Sequence, residues 1–175
     1  MDYTTPMCNN TSKKEMVPVF LRMRREERRI STAEARQILL RGDYGVLSLH
    51  DDEFPYGVPL NYVYMDEVLY FHCAEEGHKL RCLSRDPRVS FCVTGRIKAL
   101  PQELTTAYES VIVFGRASCV EGEEKRRALL ALTQKYAPGY IQSGIACIEK
   151  DTEKVKVVKI EIISMSGKGN RLDLL

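Results

Sequence analysis

The stretch Y-F-H-C-A-E-E-G-H-K-L, Tyr70 to Leu80, carries the densest chemistry in the chain. A strand-like apolar run ends at His72 and Cys73, a glycine turn follows at Gly77, and a helix starts with Lys79 in its first turn. Helix N-termini present unpaired N–H groups and partial positive charge, and therefore bind phosphates. Gly77 lets the backbone come close to such a ligand, Lys79 adds a point charge, and His78 can donate a hydrogen bond. Glu75 and Glu76 act the other way, since they repel an anion or satisfy the helix dipole themselves. Two readings stay open, a phosphate-binding turn and a self-capped helix. His72 faces a similar choice between a ligand contact and a strand histidine whose polar atoms are satisfied by the protein.

The second informative stretch is Val58-Pro59-Leu60-Asn61-Tyr62 in the preceding strand. Pro59 removes a ladder donor and so marks an edge or a bulge. Asn61 and Tyr62 offer polar and aromatic contacts. A flat heteroaromatic ring needs such surroundings, with backbone N–H and C=O at its edge and apolar atoms on its face. An ordinary bulged strand with core aromatics fits the same residues. No G-x-G-x-x-G follows a strand, there is no P-loop, and no Ser-His-Asp or Cys-His set can be assembled. The six cysteines include no C-x-x-C pair and mostly have apolar neighbours. They read as reduced core thiols of a cytoplasmic protein, with no metal site expected.

The elements that must position these residues follow from pattern. Ser31 and Glu34 form a capping box that starts a helix with Ala35, Ile38 and Leu39 on its apolar face, and Gly42 suits a C′ position of positive φ. Three strand-like runs follow, Tyr44 to His50, Tyr56 to Met65 and Val68 to Cys73, separated by short acidic turns, which predicts an antiparallel meander. A helix from about Glu76 to Arg85 ends at Asp86-Pro87. Strands are expected over Val89 to Thr94 and Ser110 to Val120 with a polar loop between them. Helices are expected over Glu123 to Tyr136 and Tyr140 to Glu149, and a final strand over Val155 to Ser164. Six antiparallel strands favour a closed or partly closed barrel, because closure removes exposed edges. The expected fold is thus mainly β (α+β), six antiparallel strands in a closed or partly closed barrel with flanking helices. Residues 1–19 read as a flexible polar tail and 20–175 as one domain.

The balance of 26 Lys and Arg against 24 Asp and Glu gives no electrostatic reason to expect nucleic acid as a partner. Arg22, Arg24, Arg25, Arg28 and Arg29 are interleaved with Glu26 and Glu27, the pattern of a solvated arm. No apolar run is long enough to cross a bilayer, and Met1 to Pro18 lacks the apolar centre of a secretory signal, so neither a membrane nor export is expected.

At these residues the sequence resembles the pyridoxamine 5′-phosphate oxidase-like flavin-binding split barrels, and within them the nitroimidazole resistance proteins. The resembling segments are M-R-R-E-E-R-R-I-S at Met23 to Ser31, Y-G-V-P-L-N-Y at Tyr56 to Tyr62 and Y-F-H-C-A-E-E-G-H-K at Tyr70 to Lys79. D-P-R-V-S-F at Asp86 to Phe91 and S-V-I-V-F-G-R-A at Ser110 to Ala117 extend them. The resemblance implies a six-stranded antiparallel split barrel with flanking helices, and a homodimer with FMN, or FAD, at its interface. It implies that Val58, Pro59, Leu60, Asn61 and Tyr62 lie along the ring system. His72, Cys73, Ala74, Gly77, His78 and Lys79 would hold its edge and phosphate. Ser110 stands where the oxidases use a glutamine. His72 becomes the candidate catalytic residue, an imidazole that gives a proton to a group gaining electrons. The oxidases' basic substrate-phosphate residues have no counterpart in Gly167-Lys168-Gly169-Asn170-Arg171, which argues against pyridoxamine phosphate as substrate. Two functions remain open: flavin-dependent reduction of nitroaromatic (5-nitroimidazole-like) or related electron-poor small molecules, and flavin storage or ligand sensing without efficient turnover.

Overall fold

The computed structural model describes residues 22–170; the expected tail lies outside them. Eight strands, β1 (Arg29–Ile30), β2 (Gly45–Leu49), β3 (Tyr56–Leu60), β4 (Val63–Met65), β5 (Val68–Ala74), β6 (Arg88–Leu100), β7 (Thr105–Val120) and β8 (Val155–Asn170), form one antiparallel sheet. Four α-helices accompany it: α1 (Thr32–Arg41), α2 (His78–Arg85), α3 (Gly122–Tyr136) and α4 (Ile141–Asp151). The strand order is β3-β2-β6-β7-β8-β5-β4, with β1 added to β8.

The sheet is rolled but not closed. β3 and β4 are its two end strands, yet only Asn61 and Tyr62 separate them in sequence. Three Cα steps of about 3.8 Å bring those ends within about 11 Å of each other, so the sheet must curl until its edges meet. The expected barrel is therefore present in split form, with eight strands where six were expected. The segment read as one strand, Tyr56 to Met65, breaks at the split. Pro59 stays in register with Val46, and the β2–β3 pairing is uninterrupted from Gly45↔Leu60 to Leu49↔Tyr56. The proline thus marks an edge and no bulge.

Inside the roll, Leu47, Leu69, Phe71, Phe91, Val111, Val113 and Ile160 are buried against α1 residues Ala35, Ile38 and Leu39. A second apolar cluster joins the outer face of β5 and β8 to α3 through Tyr70, Val157, Ala128 and Leu129. The Ser31–Glu34 capping box starts α1 as the sequence indicates. Gly42 ends that helix with φ −65°, so positive φ is not what it supplies. A Cβ there would stand 2.6 Å from Val93 Cγ1 and 2.7 Å from Tyr62 Oη, so glycine is required for space.

Two strands run further than expected. The segment 95–109, read as a loop, continues the β6–β7 ladder beyond a register shift between Thr94 and Ile97 as far as Leu100↔Thr105. Its hold is long-range: Glu109 is buried and ion-paired with Arg41 and Arg96. β8 likewise continues past Ser164 to Asn170 beside β7. The basic arm forms a short 3-10 turn, Glu26–Arg28, and then β1. Among the described cysteines, Cys73 and Cys82 are buried while Cys119 and Cys147 are exposed, so the description as core thiols holds for part of the set. No helix of the described residues is long and apolar enough to cross a membrane.

Candidate functional site

Where the sheet is split, two strand edges lack partners among the described residues. β3 pairs only with β2, which leaves its other edge open along Tyr56–Leu60. β5 pairs with β8 along its whole length but with β4 only through Val68, Leu69 and Tyr70. Its backbone from Phe71 to Ala74 is open on that side. Both ends of the gap are fastened. Asn61 and Tyr62 tie β3 to β4, which lies on β5. At the other end, Tyr56 at the start of β3 stacks on His78 at the start of α2, ring centroids 4.3 Å apart and planes 23° apart. The result is a slot walled by backbone N–H and C=O groups that no ladder consumes.

Strand alternation decides which side chains face the slot's two sides. Tyr56, Val58 and Leu60 pack toward the core, while Gly57 and Pro59 are exposed on the outer face. On β5, Phe71 and Cys73 point into the core, and His72 and Ala74 point outward. Tyr62 is fully buried: its ring meets Phe91 edge-on at 5.1 Å and its hydroxyl donates to the Leu39 carbonyl at 2.7 Å. Its backbone is held as firmly. The Tyr62 N–H donates to Tyr136 Oη at 3.0 Å, and Lys135 Nζ donates to the carbonyls of Gly42 (2.6 Å) and Tyr62 (3.0 Å). The end of α3 thus pins the split open-ended strand pair in place.

Beyond Ala74 the chain turns at Gly77, whose φ of 144° is a conformation that L side chains rarely adopt. A Cβ there would meet nothing within 4 Å, so the turn is open to solvent. α2 begins with no side-chain cap, and its first intrahelical bond runs from Arg81 N–H to Gly77 O. The N–H groups of the first turn therefore have no partner within the helix. Glu75 and Glu76 form no capping hydrogen bond to it. Lys79 is half-buried beside His72 and Cys73. Surrounding protein holds the His72 imidazole below its ordinary value, and the Lys79 cation pushes it the same way. Burial raises the Cys73 thiol, against the opposing pull of Lys79.

Ser110 is elsewhere. It pairs with Lys168 on β8, whereas His72 pairs with Val157 of the same strand. From the β3 wall of the slot, Ser110 lies beyond β2 and β6, three strand spacings of about 4.8 Å away. Paired on both sides within the sheet, it does not border the slot within the chain.

The structure adds a feature that the sequence reading did not contain. A cavity of about 510 Å³ lies between the outer face of β5 and the α3–α4 pair, with His72 and Asn61 in its wall. Leu129, Leu132, Tyr136 and Ile148 make it mainly apolar, and Thr133 and Asp151 add polar groups. Its size is that of a small-molecule site. α4 can lie this close to α3 only because residue 144 is glycine; a Cβ there would collide with Thr133 Cγ2. The amphipathic pattern of α3 is visible in the sequence, but nothing local reveals that it roofs His72.

Comparison with known proteins agrees with this architecture. A family profile described as pyridoxamine 5′-phosphate oxidase matches residues 31–169. Among solved structures, a candidate 5-nitroimidazole antibiotic resistance protein from Bacteroides thetaiotaomicron is 27% identical with a TM-score of 0.65, over 81% of this chain and 86% of that one. A FAD-binding protein from Mesorhizobium loti is 25% identical with a TM-score of 0.60, over 82% of this chain and 97% of that one. A FAD- and heme-binding protein from Mycobacterium smegmatis, 22% identical, shares the fold with a TM-score of 0.69, over 80% of this chain and 71% of that one. No curated protein matches the sequence. With its matched segment running from the α1 capping box through the slot and almost to the end of β8, the chain belongs to the pyridoxamine 5′-phosphate oxidase family.

Proposed function

We propose that this protein binds FMN, or FAD with its adenylate outside the slot, along the open edges of β3 and β5, and that it reduces nitroaromatic (5-nitroimidazole-like) or related electron-poor small molecules. The observation that carries the reading is the slot itself, two unpaired strand edges that lead to an uncapped helix N-terminus with Lys79 beside it. The free backbone groups of Val58 to Leu60 and of His72 to Ala74 suit the polar rim of a planar heteroaromatic ring. The first-turn N–H groups of α2 and Lys79 suit its phosphate. A flavin bound there would supply the electron carrier.

The remaining work falls to the chain. The mainly apolar wall of the α3–α4 cavity suits an uncharged aromatic. Nitro reduction consumes protons as well as electrons, and His72 stands where it can hand on a proton to a molecule in that cavity. The candidate 5-nitroimidazole resistance protein, 27% identical, supports the choice of substrate class, and the FAD-binding relative supports the flavin.

The working unit in this reading is a cytoplasmic homodimer. Ser110 does not border the slot within its own chain, and a second subunit offers it a route into the site. The exposed apolar side chains Ile112 and Phe114 on β7 and Ile163 on β8 offer a surface for such pairing. The deciding experiment is a visible spectrum of the purified protein with and without added FMN and FAD, followed by anaerobic reduction with a nicotinamide cofactor and addition of a 5-nitroimidazole. A yellow protein whose reduced flavin is reoxidised as the nitro absorbance disappears supports the whole reading. Flavin uptake without reoxidation rejects the reductase and leaves the cofactor, and no uptake of either flavin rejects both.

A further inference from the structure

Three side chains with different donor atoms converge beside the first turn of α2. His78 and Cys82 are four residues apart and so share one face of the helix. Asp51 reaches them from the segment that follows β2. One imidazole nitrogen, one carboxylate oxygen and Cys82 Sγ all lie within 4.8 Å of one another. His78 Nε2 stands 2.7 Å from Asp51 Oδ2, and the stack on Tyr56 sets the plane of its ring. Cys82 is 2% exposed and forms the back of the cluster. The side chains of His78 and Asp51 remain partly open to solvent, so an ion can reach the thiol from outside.

We infer that Asp51, His78 and Cys82 bind one divalent cation of the zinc class, with a fourth position left for water. The donor set selects the metal. Thiolate and imidazole suit zinc, whereas magnesium and calcium are held by oxygen ligands alone. The charges also close: one carboxylate and one thiolate balance the two positive charges of the ion. Binding takes the proton from the Cys82 thiol and releases it to solvent, and the sulfur lone pair then forms the bond to the metal. Zinc bonds of about 2.0–2.3 Å in a tetrahedron separate the donors by about 3.5 Å. The Asp51–His78 pair then opens and the sulfur closes in, each by about 1 Å. The occupied site would link the β2–β3 segment to α2 at the end of the slot. His78 would then be committed to the metal, and the phosphate of a bound flavin would be left to Lys79 and the helix N–H groups. The inference stands independently of the flavin reading.

The test uses the full-length protein, treated with a chelator, dialysed and titrated with Zn²⁺ by calorimetry, with X-ray absorption at the zinc edge on the loaded sample. The expected result is one zinc per chain and one sulfur ligand at about 2.3 Å. Cys82→Ala and His78→Gln should each weaken zinc binding at least tenfold, while Cys119→Ser, at an exposed thiol, should leave it unchanged. A coordination shell without sulfur, binding below one equivalent, or wild-type affinity in either variant would overturn the assignment. If Cys82→Ala does not fold, His78→Gln, at an exposed position, decides alone. Flavin absorbance read in the same samples separates the two proposals, since either ligand can be absent while the other is retained.

Discussion

The Tyr56 ring and the His78 imidazole lie face to face, 4.3 Å between centroids. One belongs to the free edge of β3 and the other opens α2, so this contact joins the two halves of the split at the end away from Asn61 and Tyr62. His78 is held from its other side by Asp51, whose carboxyl sits below the usual range because it accepts from the Asp52 N–H and from His78. The end of the slot proposed to hold the phosphate is therefore built on a fixed support.

Lys79 follows directly on that support. Lys79→Ala should weaken FMN binding by about one to two decades, the value of a charge-assisted hydrogen bond of roughly 1.5–3 kcal/mol. Riboflavin, which lacks the phosphate, should be affected much less. Fluorescence titration of both ligands checks this, and equal losses would show that the lysine acts through folding.

His72 should titrate below the ordinary histidine value of about 6.5, because burial and the Lys79 cation both disfavour its charged form. The folded value is thus depressed below the unfolded one. The stability that depends on this group is fully present above about pH 6.5 and is lost as pH falls through the folded value. Removing the cation in Lys79→Ala should move the His72 midpoint upward. Histidine ring NMR over a pH series measures both. A wild-type midpoint at or above about 6.5 would contradict this depression. His72→Ala should keep its flavin yet slow reoxidation by a 5-nitroimidazole in stopped-flow measurements, and unchanged reoxidation would remove the residue from the chemistry.

Tyr136 holds the split from the α3 side. Its hydroxyl accepts from the Tyr62 N–H at 3.0 Å and lies 2.7 Å from the Asp43 carbonyl and 2.8 Å from that of Tyr62. Tyr136→Phe leaves a part-buried backbone N–H without its partner, at a cost of about 1–3 kcal/mol. Urea unfolding should show the loss as a lower midpoint with an unchanged slope. A midpoint equal to wild type would mean that water replaces the hydroxyl.

The dimer is tested at β7. Ile112 is 40% exposed and lies two residues from Phe114 along β7, on the strand that pairs with the β8 segment carrying exposed Ile163. Ile112→Glu places a charge there and should shift sedimentation from dimer to monomer at micromolar concentration, with loss of flavin if both subunits contribute to the site. A variant that remains dimeric would locate the interface on another surface.

Much of the local structure was legible in the sequence because short-range chemistry determines it. Ser31 and Glu34 can cap only the helix that follows them, Gly77 and Lys79 mark the start of α2, and the β-rich runs from Tyr44 to Cys73 are strands wherever they pair. The segments quoted for the family resemblance carry the fold class for the same reason. Tertiary structure decided the rest. Whether Tyr56 to Met65 is one strand or two depends on which neighbours accept its hydrogen bonds: its first part pairs with β2 and its last with β5, strands that the rolled sheet sets at opposite ends of its order. The role of Gly42 is set by Val93 and Tyr62, which approach it only after folding. The cavity above His72 is made by helices more than fifty residues further along the chain. Propensity and capping act over a few residues, whereas strand pairing, edge closure and burial depend on contacts that exist only once the sheet has rolled up.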